Sequence, residues 1–79
     1  MTRLFDAVVS LTEPYLGPAA RRFVSRQIAF HFGKAPETLE ARDLPEFAEW
    51  ASATLSILTE DQGVVAEYER NILGLAGRE

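Results

Sequence analysis

The chain has no cysteine and only one histidine, one tryptophan and one internal run of charge worth naming. Without cysteine there are no disulfides, no thiolate metal ligands and no cysteine nucleophile, which fits a reducing compartment. A membrane-spanning helix needs about 20 consecutive, mostly apolar residues, and no stretch here approaches that. A secretory leader is not expected either. The opening Met1-Thr2-Arg3-Leu4-Phe5-Asp6 meets an acid early, and no small-residue cleavage site follows an apolar core. The sequence therefore predicts a soluble, cytoplasmic protein with no membrane partner.

What is present is ordinary for a folded chain. The 79 residues are 47% hydrophobic and 25% charged, which argues against disorder and leaves room for one domain, 1–79. The formal net charge is −4. An acidic surface repels phosphate backbones, so nucleic-acid binding is not expected unless basic residues cluster locally.

The organising stretch is Pro14-Tyr15-Leu16-Gly17-Pro18-Ala19-Ala20. Gly17 can leave a helix in the left-handed region, and Pro18 can open the next at a position where its missing N–H costs nothing. Tyr15 and Leu16 are apolar enough to pin this elbow. Before it, Thr2 is the expected N-cap of a helix running to about Glu13, where Pro14 ends or bends it, with one more turn available before Gly17. Leu4, Phe5, Val8, Val9 and either Thr12 or Leu11 form its expected buried face. After it, a second helix is expected from Pro18 to about Phe32, stopped by Gly33. Ala20, Phe23, Val24, Gln27, Ile28 and His31 form its stripe, widened by Ala19, Phe30 and Phe32, and so wide an apolar arc suggests a central helix.

Residues 34–42 read as a connector in which Pro36 starts a single turn and Leu39 is the anchor. Asp43 and Glu46 have the spacing of a capping box around Leu44-Pro45, so Asp43 is expected to cap a third helix. Its core stripe is Leu44, Phe47, Ala48, Ala51, Thr54, Leu55 and Leu58, with Trp50 and Ile57 on one flank. Thr59 with Gln62 repeats the capping box and opens a fourth helix from Glu60 to about Leu73. There Val64, Val65, Tyr68, Ile72 and Leu75 face inward, and Gly74 and Gly77 mark the end. Nothing alternates like a strand. The expected fold is all-α, a compact bundle of four helices with a short extra turn.

Chemistry-bearing constellations are missing. A single His31 between Phe30 and Phe32 reads as a core or boundary residue, and no acid pair joins it at ligand spacing. Ser10, Ser25, Ser52 and Ser56 fall mid-helix with no base near them in sequence. Glu46 and Glu49 read as a solvated face. An acidic helical chain of this length invites comparison with acyl carrier proteins, but the motif's serine is absent at Asp43-Leu44-Pro45. No catalytic residue, metal site or cofactor is expected, and the chain is read as no enzyme.

Two surface features remain. Arg21, Arg22 and Arg26, with Lys34 beyond, form the one basic cluster, and Arg22 and Arg26 lie one turn apart. Trp50, Phe30 and Phe32 are aromatics placed to close the core or to meet a partner.

The Tyr15-Leu16-Gly17-Pro18 corner and the Arg-bearing amphipathic helix after it resemble a small helical domain of bacterial and archaeal signalling proteins. That domain is found at their C-terminal ends, after protein kinase and receiver domains. Asp43-Leu44-Pro45 followed by Trp50 is similar to its second half, so the resemblance spans about Leu4 to Leu73. It implies an accessory interaction or oligomerisation module, acting in trans or excised from a longer chain, although Met1 reads as the start of a complete small protein.

The sequence thus predicts a non-enzymatic helical protein–protein interaction or oligomerisation module of bacterial signalling or regulation, binding a protein partner or itself. Arg22, Arg26, Phe30, Phe32, Trp50 and Ile57 are the expected partner-binding residues; Tyr15, Gly17, Pro18, Asp43 and Thr59 are the expected structural ones. The alternative is a small DNA-binding regulator that uses the basic face of the second helix.

Overall fold

Phe5, Val8, Val9 and Thr12 recur at three- and four-residue spacing, and they are the buried face of the first helix, α1 (Leu4–Leu16). The computed structural model describes residues 3–78. Thr2 lies outside them, and Arg3 takes the cap position with extended backbone and no side-chain cap. Inside the helix the buried Thr12 hydroxyl donates to the Val8 carbonyl at 2.8 Å, which satisfies a polar group that would otherwise be stranded in the core. Pro14 does not end the helix. It sits in the last turn, where it removes one backbone bond, and α1 continues for two residues beyond it.

Gly17 makes the elbow, with φ 59° and ψ −139°, while its N–H still bonds to the Glu13 carbonyl. Gly17–Ala19 form one 3-10 turn, with Pro18 in its first positions, and α2 (Ala20–Phe32) follows directly. Helix, 3-10 turn and helix therefore follow one another from 4 to 32 without an intervening coil, although Gly17 itself leaves the helical conformation. Counted as uninterrupted runs longer than a single turn, the described residues hold three helical stretches, 4–32, 41–58 and 62–78, with the lone turn 36–38 apart, rather than the four separate helices expected. The reason lies at Gly17, which changes the chain's direction without releasing the helical bonding on either side. All-α is the fold class, and no strand occurs among the described residues.

The chain divides into two compact units between Glu40 and Ala41. In the first, α1 and α2 pack against each other, and the turn at Pro36–Thr38 packs on both. Buried Ala20, Val24 and Ile28 line α2 at intervals of four. The helix is thus fully buried along a narrow line and not around the wide arc expected. His31 would fall on that line but is exposed, whereas Phe30 is exposed because it lies about 200° around the axis from Ile28, on the opposite face. Gly33 then ends it in the left-handed conformation (φ 61°, ψ 31°), its N–H bonded to the Ala29 carbonyl at 3.2 Å. In the connector, Thr38 bonds back to Ala35 through both its N–H and its hydroxyl, and Leu39 is buried.

In the second unit, a 3-10 turn at Ala41–Asp43 leads into α3 (Leu44–Leu58), which packs along α4 (Gln62–Arg78). This arrangement cancels the expected capping box. A capping side chain reaches the N2 and N3 amides from an extended residue, but Asp43 is already helical (φ −82°, ψ −17°) and makes no side-chain cap, and Pro45 has no N–H to offer. The buried residues of α3 are Leu44, Phe47, Ala48, Ala51, Ser52 and Leu55. From α4 come Tyr68 and Ile72, both with no exposed surface.

The cap of α4 also falls two residues beyond the expected one, at Asp61 instead of Thr59. Asp61 Oδ1 accepts from the Gly63 N–H at 2.9 Å and the Val64 N–H at 3.2 Å, while Thr59 Oγ1 accepts from the Asp61 N–H and shapes the approach. Asp61→Ala is expected to cost about 1 kcal/mol, which thermal denaturation would register as a fall in Tm of about 4–8 °C; Asp61→Asn should keep most of it. Finally, α4 passes through Gly74 and Gly77, which were expected to stop it. A glycine ends a helix by taking positive φ, and Gly17 and Gly33 are the described glycines that do so.

Candidate interaction surface

The first unit carries four of the expected residues on α2. Helical geometry sets successive side chains about 100° apart, so Arg22, Arg26 and Phe30, at intervals of four, share one face. All three are exposed, and Phe30 keeps 82% of its surface in solvent. Phe32 is partly covered and lies about 200° around the axis from Phe30. The two phenylalanines therefore do not form one patch, and their nearness in sequence misleads.

The basic cluster is divided in the same way. Arg21 turns away from Arg22 and Arg26 and reaches α1, where its guanidinium donates to Asp6 Oδ1 at 3.4 Å and sits 5.2 Å from the centre of the Phe5 ring. Both partners of the ion pair are well exposed, so the pair itself contributes no more than about 1 kcal/mol. Its consequence is geometric, because Arg21 clasps α2 to α1 and leaves Arg22 and Arg26 as the outward pair. At the elbow, Tyr15 is partly covered and Pro18 is exposed.

The second unit holds the other two expected residues on α3. Trp50 keeps 44% of its surface in solvent and Ile57 keeps 82%. Glu46 and Glu49 are exposed on the same side, within about 100° of arc. Leu58, expected in the core stripe, is 61% exposed because it is the last residue of α3. Leu73 on α4 is a further exposed apolar residue, not among the expected partner-binding ones; its offset from the Tyr68–Ile72 line is the signal in the sequence that marks it.

Chemistry is thin at these faces. Among the described residues no group of three or more histidines, acids or cysteines is placed to hold a metal ion. The hydroxyls of Thr54 and Ser56 donate to the Trp50 and Ala53 carbonyls within their own helix. No helix of the described residues is long and apolar enough to cross a membrane. Comparison with protein-family models finds no match, and comparisons with curated proteins and with solved structures find none.

Proposed function

We propose that this protein is a non-enzymatic helical interaction module that self-associates, working in the cytoplasm in bacterial signalling or regulation. One observation carries the reading: Phe30, Trp50 and Ile57 stand in solvent on well-formed helices although the core is already closed without them. Burying a large apolar side chain stabilises a complex by about 1.5–3 kcal/mol, and aromatic anchors beside arginine are typical of binding hot spots. Arg22 and Arg26 supply charge that sets orientation and favours one partner over others. The signalling context rests on the likeness of the Tyr15-Leu16-Gly17-Pro18 elbow to the small domain of kinases and response regulators.

The test is solution mass by light scattering across a concentration series at two salt levels. A concentration-dependent dimer or larger species is the expected result, and a strict monomer at every concentration overturns the reading. Trp50→Ala should then weaken association by about thirtyfold, a loss of about 2 kcal/mol, with helicity by circular dichroism unchanged. If Trp50→Ala instead unfolds the monomer, Trp50 belongs to the core. Salt-sensitive binding of duplex DNA by a monomer, lost in Arg22→Ala and Arg26→Ala, would replace this reading with that of a DNA-binding regulator.

A further inference from the structure

The charges of α2 and α3 are sorted by sign. α2 contains Arg21, Arg22, Arg26 and His31 and no acid, whereas α3 contains Glu46 and Glu49 and no base. With Arg21 drawn to Asp6, the outward charge of α2 is Arg22 and Arg26. Each helix also carries its charge ahead of its most exposed apolar residue. On α2 the order is Arg22, Arg26, Phe30, and on α3 it is Glu46, Glu49, Trp50, Ile57. The two faces are therefore complementary in charge while each is self-repelling, so neither can pair comfortably with its own copy.

We infer that the second copy docks unlike face to unlike face, the Arg22–Arg26–Phe30 face of one molecule meeting the Glu46–Glu49–Trp50–Ile57 face of another. This rests on the self-association proposed above and adds which surfaces meet. Side by side in the same direction, the guanidiniums lie against the carboxylates, and Phe30 lies against Trp50 and Ile57. The opposite direction would bring Phe30 to the glutamates. Arg26 beside Trp50 adds a cation–π contact. Contact between two different faces is heterologous, so it builds a closed ring or a chain of copies unless the two contacts close on each other in a dimer. A standard interface takes about 800 Å² per partner, roughly a sixth of this molecule's 4998 Å².

Charge reversal with mixing tests the assignment. One full-length variant carries Arg22→Glu and Arg26→Glu, and the other carries Glu46→Arg and Glu49→Arg. Each alone opposes like charge to like charge and should lose self-association about tenfold or more at low salt. Mixed in equal amounts, every α2 face finds an α3 face of opposite sign, and association should return. Circular dichroism checks that both variants keep wild-type helicity. Should Glu46→Arg disturb the first turn of α3, where an acid favours the helix dipole, the single variants Arg26→Glu and Glu49→Arg make the same test.

Association of either variant alone at wild-type strength overturns the proposal. So does a mixture that stays monomeric while the wild type associates, and in that case self-association itself stands. A wild type that is monomeric throughout removes both readings.

Discussion

Phe47→Ala is expected to lower the unfolding free energy by about 3–5 kcal/mol. The side chain has no exposed surface and lies among the buried residues of α3, so its removal forfeits the transfer energy of the ring and leaves a cavity that close-packed neighbours fill only in part. A 79-residue chain has a total stability of roughly 4–12 kcal/mol, so the loss takes a large share of it. Denaturant titration followed by circular dichroism should show a midpoint far below the wild type's, or a chain already unfolded at room temperature. Phe30→Ala is the matched control. It removes the same atoms from a position that is 82% exposed and should change stability by no more than about 0.5 kcal/mol. If the two substitutions cost the same, the burial assigned to α2 and α3 is wrong.

Gly17→Ala is expected to cost about 1–3 kcal/mol through backbone strain alone. An added Cβ would meet no atom within 4 Å, so no clash contributes. The cost comes from φ 59° with ψ −139°, a combination that residues bearing a Cβ avoid. Gly33 provides the contrast, since its φ 61° and ψ 31° lie in the left-handed helical region that asparagine tolerates. Gly33→Asn should therefore cost clearly less than Gly33→Ala, whereas Gly17→Asn should be as damaging as Gly17→Ala. Thermal denaturation separates the cases, at about 4–8 °C of Tm per kcal/mol for a domain of this size. Rescue by asparagine at Gly17 would mean that the elbow is an ordinary left-handed cap.

The helices were legible because their causes are local. Apolar spacing marked the buried faces of α1, α3 and α4, and Gly33 stopped α2 at the expected residue. The caps were less legible. Thr59 and Asp61 both present an oxygen acceptor before α4, and which of them caps it depends on where the backbone turns helical. At α3, a 3-10 turn before the helix removed the extended conformation that Asp43 needed. Glycines 74 and 77 looked like stops because composition does not reveal the sign of φ.

The candidate surface divides along the same boundary. That Arg22 and Arg26 lie one turn apart, and that Trp50 and Ile57 sit off the core stripe of α3, follows from helical periodicity alone. That His31 and Leu58 end in solvent does not follow, because their periodicity matches the core and only the extent of the covering residues decides. Nor was it written in the sequence that Arg21 would cross to Asp6 and Phe5 while its neighbour Arg22 stayed outward. By itself, then, the sequence determined the all-α class, the Gly17 elbow and the sorting of charge between α2 and α3, since each depends on residues within a few turns of one another. Tertiary structure decided which apolar side chains are covered and which arginines remain outward, because burial and long-range pairing depend on what another element brings to that place.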